Sequence, residues 1–184
     1  MQTVGGSTGA VLLRAPGPDD IDVLLALSNA QEREIGIFTR AAFVELVGLS
    51  FRTRMTPARD AFLVALAERA PENAPNYRWF AARFARYVYI DRVVVAENAR
   101  RNGFARLLYD DLFQAAAGAG YDCVCCEVNS DPPNPVSDAF HAALGFAEVG
   151  RAWLPDRGKA VRYLMRTVDA IASFHQCNDR LSAD

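Results

Sequence analysis

Lysine is almost missing from this chain: Lys159 is the only one in 184 residues, and arginine carries the remaining side-chain positive charge. The formal net charge is -2, so neither sign dominates. Bulk attraction to nucleic acid or to an anionic membrane is thereby excluded, and any anion site has to be built locally. No apolar run approaches the length that spans a bilayer, so no membrane partner is expected. The opening residues MQTVGGSTGAVLLRAPGPDD lack the basic segment and apolar core of a signal peptide. Cysteines are few, and Cys123, Cys125 and Cys126 fall in one strand-like run, where the first two share a face and the third points away. No histidine stands at ligand spacing from them. The expectation is therefore no metal, buried free thiols and a reducing, cytoplasmic compartment. The phosphate loop GxxxxGK[ST] and the dinucleotide fingerprint GxGxxG are both absent.

What is present alternates between strand and helix. Hydrophobic residues make up 51% of the chain, enough for one domain of this length to bury a sizeable core. GAVLLRA (Gly9 to Ala15) reads as a first strand. PGPDD then turns the chain, with Asp19 or Asp20 capping a helix whose apolar face is Ile21, Leu24, Leu25 and Leu27. TRAAFVELVG reads as a second helix, and LSFRTR and DAFLVALA flank the turn MTPARD as a hairpin. Glu68 to Asn76, with Pro71 and Pro75, reads as a loop, and the aromatic, basic stretch after it fits neither element cleanly. Tyr87 to Val95 is a strand, buried on both faces near its end. A helix follows from Gly103 to Ala117, with Phe104, Leu107, Leu108 and Leu112 on one face. CVCCEVN is the next strand. Asn134 caps and Pro135 opens a helix with the core stripe Val136, Ala139, Phe140, Ala143 and Leu144. AEVGRAWL and KAVRYLMRT close the pattern as two strands around PDRG. The expectation is one α/β domain over residues 1–184, with a core at 9–167 and a tail at 168–184 that is a short helix or unstructured.

The joint between the Tyr87–Val95 strand and the following helix reads Arg100, Arg101, Asn102, Gly103. A helix starts with backbone N–H groups that lack intrahelical partners, and its dipole is positive there. Gly103 lets a ligand approach the backbone, and two arginines add forked donors suited to phosphate oxygens. The physical reading is a pyrophosphate cradle; the alternative is two solvated arginines on a surface turn.

The segment Arg100, Arg101, Asn102, Gly103, Phe104, Ala105 resembles the acetyl-CoA loop Arg/Gln-x-x-Gly-x-Gly/Ala of the GNAT superfamily of N-acetyltransferases. NPVSDAFHAALGF (Asn134 to Phe146) is similar to that family's helix N-x-x-A-x-x-x-Y-x-x-x-G-F. The resemblance covers Gly9 to Thr167. It implies a single α/β (α+β) domain with a mixed, mostly antiparallel sheet, V-shaped at its centre and flanked by helices. It also implies acetyl-CoA as cosubstrate and direct attack on its thioester by the primary amine of a small molecule or peptide. Val93, Val94 and Val95 would hold the pantetheine arm through their backbone. Arg100, Arg101, Asn102, Gly103, Phe104 and Ala105 would hold the pyrophosphate, with Asn134 and Ser137 as further cofactor contacts. A homodimer is plausible by family analogy alone. A non-catalytic acyl-CoA sensor and a protein N-terminal or lysine acetyltransferase remain as rival readings.

His141 stands where the family places a tyrosine that protonates the leaving thiolate, and its position on the helix points it off the core stripe. Alternation along CVCCEVN puts Cys123, Cys125, Glu127 and Asn129 on one face. A glutamate inside an apolar strand is costly unless paired or functional, so Glu127 is a general base with Asn129 positioning the amine, or an ion-pair partner of an arginine. Asp91 is the competing base, and its neighbour Arg92 alternates to the opposite face. Tyr77, Trp79 and Phe80 are a substrate wall or plain packing. The aromatic and basic residues around them also suit stacking on nucleic acid, but the acidic balance and the missing RNA-binding signature argue against it.

Overall fold

The structure, a computed structural model, describes residues 11–31, 36–71 and 74–168. Among the described residues five α-helices and six strands follow one another: α1 (Ile21–Asn29), α2 (Arg40–Leu49), β1 (Arg52–Met55), β2 (Ala61–Ala67), α3 (Pro75–Ala81), β3 (Tyr87–Val95), α4 (Phe104–Gly118), β4 (Cys123–Asp131), α5 (Pro135–Ala143), β5 (Ala147–Leu154) and β6 (Lys159–Thr167). The strands form one mixed sheet in the order β1-β2-β3-β4-β6-β5. Only β3 and β4 run parallel. That pair is joined through α4, the crossover that parallel neighbours require.

Each face of the sheet carries its own core. Ile21 and Leu24 of α1, Phe43 and Leu46 of α2, and Tyr77 and Phe80 of α3 cover one side. Leu108, Tyr109, Leu112 and Phe113 of α4 cover the other, with Leu144 and Phe146 beside them. Alternation along β4 holds: Cys123 and Cys125 enter the first core, Val124, Cys126 and Val128 the second. These three cysteines are buried free thiols. Thr39 caps α2 by accepting from the Ala42 N–H at 3.2 Å.

Two features open the centre of the sheet. The β3–β4 ladder covers only Tyr87–Tyr89 against Cys123–Cys125. Beyond it the strands diverge, while β3 stays paired to β2 as far as Val95 and β4 stays paired to β6 as far as Asp131. Asp91 is also a β-bulge, because Ala65 faces Ile90 and Val64 faces Arg92. Before the bulge Tyr87 and Tyr89 enter the first core; after it Val94 does. The bulge thus places Asp91 and Arg92 on one face, against the expectation that they alternate. Arg92 Nε donates to Asp91 Oδ2 at 2.7 Å.

Several sequence expectations are corrected. The described part of the Gly9–Ala15 segment makes only an isolated bridge, Arg14 to Met55. Asp20 makes no side-chain cap to α1. Its buried carboxylate instead receives Arg14 at 2.6 and 2.8 Å, the Gly17 N–H at 2.7 Å and Arg59 at 2.8 Å. The Arg14 hydrogen bonds, then the Gly17 amide, hold that carboxyl well below the usual range. The loop expected through Asn76 ends at Ala74, because Pro75 opens α3 at the first helical position, where proline fits.

On α5 the stripe is displaced. Val136 is 80% exposed, while His141 is 4% exposed and Leu144 is buried. Ala139 and Ala143 are exposed and Phe140 is half-buried. The imidazole can take a core position because both of its nitrogens have partners. Within β5, Gly150 follows a bulge and faces the indole of Trp79, which a Cβ there would strike.

Candidate active site

The divergence of β3 and β4 leaves a cleft of about 880 Å³ between their C-terminal halves. Its walls come from 90–95 of β3, 126–129 of β4, the loop before α4, the first turns of α4, and α5. Alternate N–H and C=O groups of residues 92–95 face this gap without a neighbouring strand, so an extended ligand can pair with them.

At one end stands the arginine loop. Arg101 has φ 67 and Gly103, the cap residue of α4, has φ 79. The left-handed conformation suits glycine; at Arg101 it is an uncommon state for a side-chain-bearing residue. No side chain caps α4, so the N–H groups of its first turn face the cleft mouth with the positive end of the helix dipole. Arg100, Arg101, Gly103, Phe104 and Ala105 all line the cleft, as do Val93, Val94, Val95, Asn134 and Ser137. Asn102 does not; its amide turns inward to donate to the Ala99 carbonyl at 3.2 Å, fixing the loop.

At the notch, Glu127 lies against two neutral donors. Asn76 Nδ2 donates to Oε1 at 2.7 Å, and the Tyr89 hydroxyl donates to Oε2 at 2.8 Å. Burial is the main cause that raises its pKa, to about 7; the two hydrogen bonds oppose the rise and the Asp91 charge adds to it. The arginine partner that a structural glutamate would take is not what holds it. Asn76 is itself oriented by the Tyr163 hydroxyl, which donates to Oδ1 at 3.1 Å. Trp79 stacks on Tyr163 with centroids 4.1 Å apart.

Asn129 is buried and borders the cleft beside Glu127. Asp91 also borders it, but its carboxylate is engaged by Arg92. Arg92 is in turn fixed by the Ser28 hydroxyl at 2.7 Å and by the Phe38 ring, 4.0 Å from its guanidinium carbon. Tyr77, Trp79 and Phe80 are not cleft residues: the first and third are buried core, and the second packs between Tyr163 and Gly150. Their helix contributes through Asn76 instead.

On α5, where it borders the cleft, His141 is buried, against the expectation that it points off the core. Its Nδ1 lies 2.7 Å from the Ser137 carbonyl and its Nε2 lies 2.8 Å from the Tyr109 hydroxyl. Burial lowers its pKa below the ordinary histidine value.

Asn76, Tyr89, Tyr163 and Tyr109, which the sequence does not single out, make hydrogen bonds around Glu127 and His141. Tyr89 shares a face with Asp91 on β3 and was legible by alternation. Asn76 was not, because it lies 51 residues from Glu127 in a segment that read as loop. Among the described residues no cluster of His, Cys, Asp and Glu could hold a metal ion, and no helix is long and apolar enough to cross a membrane.

Known proteins agree with this geometry. The family model for the Acetyltransferase (GNAT) family matches residues 63–146, a span that contains β3, the arginine loop, β4 and α5. Among solved structures, Arabidopsis thaliana NAA60 in complex with a bisubstrate analogue superposes with TM-score 0.70 at 15% identity, covering 88% of this chain and 99% of that one. The ribosomal-protein-S18-alanine N-acetyltransferase of Escherichia coli gives 0.63 at 12%, covering 91% and 99%. A phosphinothricin acetyltransferase of Sinorhizobium meliloti in complex with AcCoA gives 0.64 at 17%, covering 86% and 89%. No curated protein sequence gives a significant match. The six-stranded mixed sheet with its split centre and the arginine loop ahead of α4 has the GNAT fold, and residues 63–146 match the model of the Acetyltransferase (GNAT) family.

Proposed function

We propose that this protein moves an acetyl group from acetyl-CoA to a primary amine by direct attack within a ternary complex. One observation carries the reading. The β3–β4 ladder stops after three residue pairs, and the gap it leaves runs from an uncapped helix N-terminus with two arginines to a buried glutamate of raised pKa. The residues fit the cosubstrate: cations and free N–H groups suit a pyrophosphate, and an unpaired strand edge suits the amide-bearing pantetheine arm. Acetyl-CoA supplies an acetyl group already activated as a thioester.

The chain's own groups do the rest. Glu127 accepts a proton from the incoming ammonium, directly or through one water, and Asn129 orients the nitrogen. A carboxylate with pKa near 7 is basic enough to take that proton and is still ionised in part at neutral pH. Asp91 is the weaker candidate because Arg92 occupies its carboxylate. The wall formed by His141 and Tyr109 faces the leaving sulfur and supplies its proton. Cys126 borders the cleft too, but burial pushes its thiol pKa well up, so it stays protonated and is a poor nucleophile for an acyl-enzyme route.

Release of free thiol from acetyl-CoA, assayed across a panel of small amines, lysine peptides and free N-terminal peptides, tests the reading. Thiol release that depends on at least one amine is expected. Tight binding of acetyl-CoA with no release across the panel would favour an acyl-CoA sensor instead.

A further inference from the structure

We infer that Tyr109 is the group that protonates the departing thiolate, and that His141 is a positioning residue acting through it. This rests on the acetyl-transfer reading above. The hydrogen bonds around His141 carry the argument. A backbone carbonyl can only accept, so the 2.7 Å contact of Nδ1 with the Ser137 carbonyl puts the ring proton on Nδ1, and the Ser137 hydroxyl oxygen, farther off at 3.2 Å, then accepts from the same N–H. Nε2 then holds a lone pair and accepts from the Tyr109 hydroxyl. In this neutral ring no N–H is left to face the cleft. The movable proton of the pair is on the Tyr109 oxygen.

The surroundings support the same assignment. Tyr109 projects from α4 and borders the cleft together with Cys126, Glu127 and His141. Its ring is held edge-on by Phe113, Phe140 and Phe146, at centroid distances of 5.9, 5.2 and 6.1 Å, so only the hydroxyl has freedom to turn. The titratable groups that face the pair are Cys126 and Glu127 from β4 and Asp138 from α5. Burial raises the phenol pKa well above its ordinary value and lowers that of the imidazole. Tyr109 therefore keeps its proton throughout the neutral range, and His141 does not become an imidazolium donor there.

In the step, the nitrogen–carbon bond forms and the carbon–sulfur bond breaks, with its electron pair going to sulfur. The Tyr109 proton passes to sulfur, and the phenolate regains a proton from water once the thiol has left. The ammonium sheds two protons: one leaves by way of Glu127 before attack, and the second passes from the nitrogen to Glu127 and on to water as the amide forms, balancing the proton that the Tyr109 phenolate takes back.

Tyr109→Phe keeps the ring packing and removes the proton. It is expected to lower kcat on the order of a hundredfold, the usual contribution of a general acid, with the KM for acetyl-CoA little changed. His141→Gln should lower kcat less, and the double variant should be no slower than Tyr109→Phe alone. In the wild type, kcat should hold from about pH 7.5 to 9, because burial keeps the Tyr109 phenol protonated across that range. A fall of kcat above about pH 6.5 would mark an imidazolium donor and overturn the assignment.

A second readout needs no amine. Titration of bound CoA by thiolate absorbance should show its thiol pKa raised by about one unit in Tyr109→Phe, as expected for loss of a hydrogen bond to a charged acceptor. If that shift appears while no amine is acetylated, the donor assignment stands and the transfer reading falls. If transfer proceeds and neither kcat nor the thiol pKa responds to Tyr109→Phe, the donor assignment falls alone.

Discussion

Glu127→Gln is expected to reduce kcat by at least a hundredfold, on the order of what a positioned base contributes, while acetyl-CoA binds as before. The glutamine keeps the shape and can still accept from Asn76 Nδ2, the partner now 2.7 Å from Oε1. What it loses is the capacity to take a proton. The wild-type pH profile carries the same signature. Glu127 works only when ionised, so kcat/KM should rise with pH through about 7 and then level off, in step with its raised pKa. In the glutamine variant that rise should vanish. Stability should move the other way. A carboxyl whose folded pKa lies above its unfolded one contributes stability that is present at low pH and lost as pH climbs through the folded value. Here that window runs from the ordinary glutamate value of 4.5 up to about 7. At pH 8 the buried carboxylate is a liability, and Glu127→Gln should raise Tm, measured by thermal unfolding across pH. Lower activity with higher Tm separates a lost base from a damaged fold; a variant that keeps wild-type turnover would move the role to Asp91.

The paired change Arg100→Ala with Arg101→Ala should weaken acetyl-CoA binding by roughly ten- to a hundredfold, as expected for two charge-assisted contacts partly screened by water. Calorimetric titration at low and moderate salt measures it, and the difference between wild type and variant should shrink as salt rises. The rate with acetyl-pantetheine, which carries no pyrophosphate, should stay where it was. An unchanged affinity for acetyl-CoA would leave the arginines as solvated surface and would place the diphosphate elsewhere.

The parts of this site that follow one element were legible from sequence, and the parts that join elements were not. Strand β3, the arginine loop and the start of α4 are contiguous, so Val93–Val95 and Arg100–Ala105 were readable as an extended edge running into a helix N-terminus. Only Asn102 departs, because its amide was free to satisfy a loop carbonyl. Alternation along β4 set Glu127 on its face, and the structure supplied its partners from α3 and β3. Asn76 could not be foreseen, since a proline pair made its segment look like loop and nothing local announces a contact with β4. The Asp91 bulge was equally hidden: a register shift depends on the partner strand, and it reversed the expected separation of Asp91 and Arg92. The burial of His141 does not follow from the apolar stripe of its nine-residue helix. Its burial is set by Ser137 one turn back and by Tyr109 on another helix.

The central claim is that one cleft holds acetyl-CoA and the amine together and passes the acetyl group directly between them. Initial rates of thiol release over a grid of acetyl-CoA and amine concentrations test it most directly. Reciprocal plots should intersect, with no acetylated enzyme seen by intact mass when the amine is left out. Parallel lines, or an acetyl group retained on the protein, would contradict it.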